Sequence, residues 1–383
     1  HSGRQTSGLA LDDARWGPQD YRYASDEQGL FLRHTVLWGA HRLSVGWERV
    51  DRDTVSAISD PGITTPRTNA ERYHMPWVAG EWRSGAWTWM AEAYWPRFTT
   101  RQRDRYADTA TGQDLLPAQD EGAAHRHRLL PRLGASLRLG TGRALHWAWQ
   151  ESVRAPGTHT LSPVATGAIA VDNQYLLAGS YARKHAVQLD WEASPTTFWG
   201  ASLSGQRISN LVAANGRLFA QNTGALFDNV VTIAPVVLNA QTTLNTYEET
   251  PLFGQGQLAQ ATVSVNHLLG PRWSVLGSYM HTTSRNTGAG LEGRWLPGFA
   301  RHVVLGQTTW RHEARSFSLL RLTWRGMRYS DEANTVQRAP GWSLALAHGW
   351  ESQDRRWSFT GTVQTGLRTG ERPTLWALVR YRD

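Results

Sequence analysis

From about residue 28 to the C-terminus the chain alternates apolar and polar positions with a period of two, and helical periodicity is almost absent. Strands read this way when one face meets an apolar phase and the other meets water. Residues 125–139 show the pattern most cleanly, with Leu129, Leu133, Ala135, Leu137 and Leu139 on one face and Arg126, Arg128, Arg132, Ser136 and Arg138 on the other. Four arginines on one face of one strand need open solvent or a wet cavity. Short turns separate strand-like runs at Gly39-Ala40-His41, Ser84-Gly85, Gly140-Thr141-Gly142, Ser194-Pro195-Thr196, Gly270-Pro271-Arg272, Glu313-Ala314-Arg315 and Gln353-Asp354-Arg355. Between them lie long polar connections near 52–73, 100–124, 156–183, 210–255, 286–298 and 330–340, with a shorter one at 368–372. A transmembrane barrel requires that alternation, with short turns on the periplasmic side and long loops outside.

Counting back from the C-terminus, the pattern predicts strands near 373–383, 355–367, 341–352, 316–329, 299–313, 272–285, 256–269, 196–209, 184–193, 143–155, 125–139, 86–99, 74–83, 41–52 and 28–39. An even count with both termini periplasmic needs one more, and Ala14–Ser25 is the candidate despite the Gly17-Pro18 interruption. The expected fold is therefore all-β: a transmembrane antiparallel up-and-down β-barrel of about 16 strands, with 14 and 18 as the alternatives. Residues 1–27 form an N-terminal segment with a possible first strand, and 28–383 form the barrel, whose largest loop is 210–255.

Composition sharpens the picture at three points. No run of 18 apolar residues exists, so helical spans are excluded, and a closed barrel is the other structure that satisfies its backbone in lipid. The chain holds 20 Trp, and nine of them flank the short turns: Trp38, Trp82, Trp191 and Trp350 just before, Trp87, Trp147, Trp199, Trp273 and Trp357 just after. Amphipathic rings collect at headgroup level, so these nine are expected to form one aromatic girdle. The absence of Cys removes disulfides and thiolate chemistry and fits an oxidising envelope compartment. The chain opens at His1 without a basic segment followed by an apolar one, which leads us to expect a removed signal peptide or a longer parent protein.

The net charge of +8 comes almost wholly from Arg. It reads either as genomic codon bias or as a positive interior that attracts anions. With each apolar face turned to lipid, the polar faces collect Arg33, Arg126, Arg128, Arg132, Arg138, Arg321, Arg325, Arg356, Arg368 and Arg380, alongside Glu48, Glu81, Glu92, Asp190, Glu192 and Glu351. A charge at the lipid-facing midplane costs about 2–4 kcal/mol, so inward placement is close to forced. The arginines are expected to line the lumen, either bracing the wall as ion pairs or forming a basic track for an anionic solute. The apolar run Val230–Leu238 inside the largest loop suggests an inward constriction, with two strands extended beyond the membrane or a partner contact as the alternatives.

Other motifs take bland readings. Gly288-Ala289-Gly290-Leu291-Glu292-Gly293 spells a dinucleotide fingerprint but lies in a loop without βαβ context. His125-Arg126-His127 places two histidines beside arginines that repel a cation, so no metal site is expected. Ser278 and His281 do not share a strand face, and no Ser/His/Asp constellation assembles; no enzyme and no cofactor are expected.

The C-terminal third carries a resemblance. The stretch Leu296-Pro297-Gly298-Phe299-Ala300-Arg301-His302, then Trp324-Arg325-Gly326-Met327-Arg328-Tyr329-Ser330-Asp331-Glu332-Ala333-Asn334-Thr335 and Gly341-Trp342, resembles the last strands of TonB-dependent transporter barrels. It resembles more fully the barrels that follow tetratricopeptide repeats in exopolysaccharide-export porins, over residues 160–383. Two departures stand out: the plug and the roughly 22 strands of a TonB-dependent transporter exceed what this length holds, and the chain ends Tyr381-Arg382-Asp383 rather than on an aromatic residue. Leu375, Ala377, Val379 and Tyr381 still alternate outward. The resemblance implies an outer-membrane translocation pore exporting a polymer such as an exopolysaccharide, with a periplasmic helical-repeat domain or partner chain upstream. Implied partners are outer-membrane lipid, lipopolysaccharide and the barrel assembly machinery; no nucleic acid is expected. The alternative is a non-conducting anchor or receptor barrel that scaffolds an envelope assembly.

Overall fold

The period-two segments become strands in a computed structural model that describes residues 2–13, 17–59, 63–155, 160–171, 179–210, 253–313, 315–366 and 374–381. In chain order these are β1 (Ser2–Asp13), β2 (Gly17–Trp38), β3 (His41–Ser59), β4 (Ile63–Ser84), β5 (Trp87–Tyr94), β6 (Arg97–Asp108), β7 (Asp114–His127), β8 (Leu130–Gly140), β9 (Arg143–Val153), β10 (Ala165–Thr166) and β11 (Ile169–Ala170). There follow β12 (Tyr181–Ser194), β13 (Thr197–Ser209), β14 (Gln255–Leu268), β15 (Trp273–Asn286), β16 (His302–Glu313), β17 (Ser316–Arg325), β18 (Arg328–Tyr329), β19 (Gln337–Arg338), β20 (Gly341–Glu351), β21 (Trp357–Gly366) and β22 (Thr374–Tyr381). Among the described residues there is no helix. Eighteen of the strands belong to one large antiparallel sheet, while β10 with β11 and β18 with β19 make two small ribbons.

Several expected boundaries move, each for a physical reason. Of the connection expected at 52–73, residues 52–59 and 63–73 are instead strand: β3 and β4 stay in register from Arg42↔Glu81 to Ser59↔Thr64. Likewise most of 100–124 is the β6–β7 hairpin, which closes at Asp108, where the carboxylate accepts the Thr111 amide at 2.7 Å and the Ala110 amide at 3.0 Å. Beyond the apolar phase both faces of a strand can be polar, so the alternation fades while the backbone ladder continues. Conversely, two segments expected to be continuous are interrupted. Residues 86–99 break at Trp95-Pro96, because proline offers no amide to the ladder, and β5 and β6 both pair with β4. Residues 125–139 break at Arg128-Leu129, and β7 pairs with β6 as β8 pairs with β5. At the N-terminus, residues 17–25 of the candidate first strand open β2, residues 14–16 lie outside the described residues, and β1 precedes them, paired from Ser2↔Gln28 to Asp13↔Gly17. The apolar run 230–238 also lies outside the described residues.

Two compact units divide the chain. Unit 1 comprises 1–136, 147–185 and 207–228. Its strands have one bare apolar face and one covered face. Leu30, Leu32, Val36, Leu43, Val45 and Val78 are exposed, while Ser44, Glu48, Arg52, Asn69 and Glu71 are buried. Each large aliphatic side chain left in water forfeits about 1.5–3 kcal/mol, so this inside-out distribution is stable only against an apolar phase. The covered face is less polar than the alternation suggests: Tyr73, Met75, Trp77, Tyr94 and Phe98 form a core on it. On β4 large side chains occupy both faces, which blurs the period-two signal there.

The bare face of unit 1 has defined ends. Trp38 and Trp82 stand at the short turns, and beyond Trp47 a charged ladder begins, with Arg49–Asp51 at 2.6 Å and Arg72–Asp53 at 2.9 Å. At that far end aromatic rings pair with histidines: Trp47 with His74 at 6.1 Å, Trp149 with His185 at 6.3 Å, and Trp95 Nε1 hydrogen-bonded to His127 Nε2 at 2.6 Å. The sequence reading missed this second row because its members sit mid-strand rather than beside a turn.

Unit 2 comprises 137–146, 186–206 and 229–383 and repeats the inversion. Leu203, Val263, Val304, Leu320, Leu322, Leu346 and Val363 are bare, while Gln260, Thr282, Thr323, Val303 and Leu305 are buried. Its long connections are tied together. Glu332 Oε1 accepts from the Gly254 amide and Asn286 Nδ2, and Asn334 exchanges two hydrogen bonds with the Trp295 backbone at 2.8 and 2.9 Å. Asn334 takes a left-handed φ of 56°, a conformation that asparagine tolerates. The residues carrying the family resemblance thus build this clasp. The Gly288–Gly293 stretch is a tight loop closed by Leu291 and Arg294 amides donating to Gly288 and Leu291 carbonyls, with no helix behind it to receive a pyrophosphate.

Candidate functional site

The covered face of unit 1 gathers ionisable side chains from four strands. Glu48 lies on β3, Glu92 on β5 and Arg132 on β8, each brought inward by strand parity, and Glu151 is buried near the end of β9. What organises them is a segment of the connection expected at 156–183. Residues 160–171, containing the β10–β11 ribbon, fold back onto this face instead of extending away from it.

Glu48, only 1% exposed, is the main anchor. Its Oε1 accepts the Thr160 hydroxyl at 2.6 Å, the Leu161 amide at 2.9 Å and the Ser162 amide at 2.8 Å. Successive amides converging on one carboxylate oxygen form an anion nest, and charge-assisted bonds of this kind are about twice as strong as neutral ones. Arg132 is the second anchor. Its Nη1 donates to Pro163 O and its Nε to Glu151 O, both at 3.2 Å, and the guanidinium lies 3.8 Å over the Tyr94 ring. The same Nη1 stands 3.7 Å from Glu92 Oε2, which also accepts the Tyr94 hydroxyl at 2.6 Å, while Glu92 Oε1 accepts Thr166 Oγ1 at 3.1 Å. Further along, Gln150 Nε2 donates to Ile169 O at 2.8 Å and Lys184 Nζ to Ala170 O at 3.3 Å.

Close approach of the ribbon depends on two glycines. A Cβ at Gly134 would stand 2.5 Å from Gly167 N, and Gly167 itself needs φ of 56° and would place a Cβ 2.4 Å from Trp147 O. Gly134→Val is therefore expected to evict the ribbon while leaving β8 a good strand, since valine suits a pleated surface. Limited proteolysis should then cut within residues 160–171 in the variant and spare those residues in wild type; equal protection of both would refute the docking.

The expected lumen arginines separate into groups. Arg128 stands 3.6 Å and Arg183 2.9 Å from the Glu151 carboxylate, while Arg132 donates to the Glu151 backbone carbonyl. Arg126 donates to Ser209 O at 3.4 Å. Arg33 is exposed and bonds Thr35, and Arg138 is exposed near its turn, so neither joins the cluster. In unit 2, Arg321 is buried with two bonds to Gln307 Oε1, and Arg325 is buried nearby on β17. Arg356 departs from its expected strand position: it sits in the short turn after β20, 3.9 Å from Asp354, because Ser352 and Arg356 close that turn around the Asp354 carboxylate. The Ser352 hydroxyl and the Arg356 amide hold that carboxyl below its ordinary range. Arg368 lies outside the described residues, as does the side chain of Arg380. Of the acids, Glu81 pairs with Arg42 at 2.6 Å and Arg83 at 2.7 Å, and Asp190 with His146 at 3.3 Å. Glu192 and Glu351 lie beside their short turns.

All nine turn-flanking tryptophans project from bare faces, between 38% and 49% exposed. Trp87 stacks on Trp89 at 4.9 Å and Trp273 on Trp310 at 5.2 Å, adding two rings that the turn rule did not select. His127 is occupied by Trp95, and His281 faces His302 at 3.4 Å rather than Ser278.

No protein-family model matches the sequence, and no curated protein does. Solved structures do match in fold. The ferric yersiniabactin uptake receptor FyuA from Yersinia pestis superposes with a TM-score of 0.58 at 11% identity, over 99% of this chain and 56% of its own. The ferric citrate transporter FecA gives 0.55 at 11%, covering 99% and 56%. The ferric-catecholate import receptor Fiu from E. coli K12 gives 0.53 at 12%, covering 96% and 56%. The chain thus spans a little over half the length of these receptors. The chain has the all-β antiparallel fold of these receptors and transporters, and the strands of each unit carry one bare apolar face.

Proposed function

We propose that the chain is an outer-membrane transport barrel whose path is narrowed on its polar side by the 160–171 ribbon. The observation that carries this reading is the docking of that ribbon on Glu48 and Arg132 across the face that strand parity turns away from lipid. A barrel of about 16 strands is the supporting architecture, since β5 with β6 and β7 with β8 behave as two interrupted strands, and both termini then lie on the periplasmic side. The fold relatives named for ferric siderophore and ferric citrate transport support the transport class.

The cargo in this reading is an anionic solute or polymer, such as an exopolysaccharide, moving past Arg128, Arg132 and Arg183. The nine turn-flanking tryptophans serve as the girdle at headgroup level. Planar-bilayer recordings of the purified chain test the reading. Deleting 160–171 should raise single-channel conductance severalfold, and Arg128→Gln with Arg132→Gln in the deleted background should shift selectivity from anions toward cations. Silence from both the full chain and the deletion would reject transport and favour the second reading, a closed anchor barrel, for which the pairing of the Glu151 carboxylate with Arg128 and Arg183 is the specific support.

A further inference from the structure

One polar cluster stands where the fold has no use for it. On the bare face of unit 2, Ser318 of β17 lies between two histidines on neighbouring strands, its Oγ 2.7 Å from His312 Nε2 and 3.1 Å from His348 Nδ1. Cross-strand register places it there, with Ser318 opposite Trp310 on β16 and opposite His348 on β20. The surrounding side chains on that face are apolar and exposed: Trp310, Leu320, Leu346 and Trp350. His312 packs on Trp310 at 3.8 Å, Trp310 stacks on Trp273, and the two imidazoles are 5.6 Å apart. Position along the strands is equally telling. His312 immediately precedes the turn that contains Arg315, and His348 lies four residues before the turn opening at Ser352. The cluster therefore sits at the aromatic edge of the apolar face rather than in its middle.

Polar side chains on a lipid-facing wall are costly unless they meet polar partners. The serine hydroxyl satisfies one nitrogen of each ring. His312 Nδ1 and His348 Nε2 have no protein partner among the described residues. At headgroup depth the abundant acceptor is phosphate, which takes charge-assisted bonds from both rings when one of them is an imidazolium donating to Ser318 Oγ as well, and Arg315 adds a cation at the adjoining turn. The geometry points to a phospholipid site: His312 and His348, bridged by Ser318, hold the headgroup phosphate of a glycerophospholipid whose acyl chains lie along Leu320, Leu346 and the Trp310–Trp273 stack. Nothing in this assignment depends on the transport reading, because the cluster lies on the bare face of unit 2 and the ribbon on the covered face of unit 1.

The full chain in nonionic detergent, relipidated with dioleoylphosphatidylglycerol and weighed by native mass spectrometry, tests it. Wild type should retain one more lipid than His312→Phe with His348→Phe, and losing two charge-assisted bonds should weaken retention by about tenfold or more. Ser318→Ala should weaken it less, because the rings remain but lose their bridge. Heat-modifiable migration on gels and unchanged planar-bilayer behaviour confirm that the variants are folded. Equal retention by wild type and the double variant overturns the site. Equal retention of dioleoylglycerol, which lacks phosphate, reduces it to an apolar groove and overturns the headgroup assignment. Histidine ring resonances that move with inorganic phosphate but not with the lipid would make it a free-anion site and overturn the lipid assignment.

Discussion

Glu48→Ala should release the 160–171 ribbon and open the path it narrows. Three donors converge on one carboxylate oxygen, and two of them are the backbone amides of Leu161 and Ser162, the second shared with Thr160 Oγ1 at 3.0 Å. Bonds to a charged acceptor contribute about 1.5–3 kcal/mol each and do not add fully, so docking should lose about 3–5 kcal/mol. At 1.4 kcal/mol per tenfold, the undocked population rises by about two to three orders of magnitude. Glu48→Gln keeps a carbonyl acceptor in the same place and should do much less, which separates loss of charge from loss of shape. The cysteine-free chain offers a direct readout. Ile169→Cys places one thiol on the ribbon at a buried position, and its maleimide labelling should accelerate strongly in the Glu48→Ala background and modestly with Glu48→Gln. Unchanged labelling would show that Arg132, Glu92 and Gln150 hold the ribbon without Glu48.

How far this site was legible in the sequence depends on which kind of order each residue obeys. Glu48, Glu92 and Arg132 reach the covered face by parity alone, and parity survives in the spelling of β3, β5 and β8. Their partners do not. Thr160 lies 112 residues from Glu48 along the chain, and nothing local marks a polar stretch as one that turns inward. The available signal was weak: Ala165-Thr166-Gly167-Ala168-Ile169-Ala170 is small, nearly uncharged and carries glycine at its bend, which suits close backbone approach better than solvent exposure. Hydrophobicity points to 230–238, which lies outside the described residues, whereas polar docking on a polar face needs no apolar run to mark it.

The same contrast explains the strands. Where lipid meets one face, as at Leu43, Val45 and Trp47, alternation is enforced and the strand is readable. From Arg49 onward β3 carries Asp51, Arg52, Asp53 and Thr54, polar on both faces, and only the cross-strand ladder to β4 reveals that it continues. Trp95-Pro96 is the converse, a stretch that alternates convincingly but is broken by the missing proline amide.

That boundary between enforced and relaxed alternation makes a depth-resolved prediction. Val45→Arg should destabilise the folded protein in phospholipid vesicles by about 2–4 kcal/mol, the cost of arginine near the midplane of a strand wall. Val45 is 44% exposed on the bare face, between Leu43 and Trp47 on its own strand and level with Val78 on the next. No acid stands on that face within one register step to pair with the new charge: its neighbours there are His34, Leu43, Trp47 and Val78. Four residues further along the same face the chain already carries Arg49, paired with Asp51 at 2.6 Å, and Arg49→Leu should change stability by only about 0–1 kcal/mol because charge is tolerated at the interface. Urea unfolding of both variants in vesicles, followed by tryptophan emission, measures the difference. A soluble sheet would give the opposite ranking, since replacing an exposed valine with arginine would cost nothing there and could gain solubility. Equal stability of wild type and Val45→Arg would therefore mean that this face meets water, and the membrane assignment of unit 1 would fall with it.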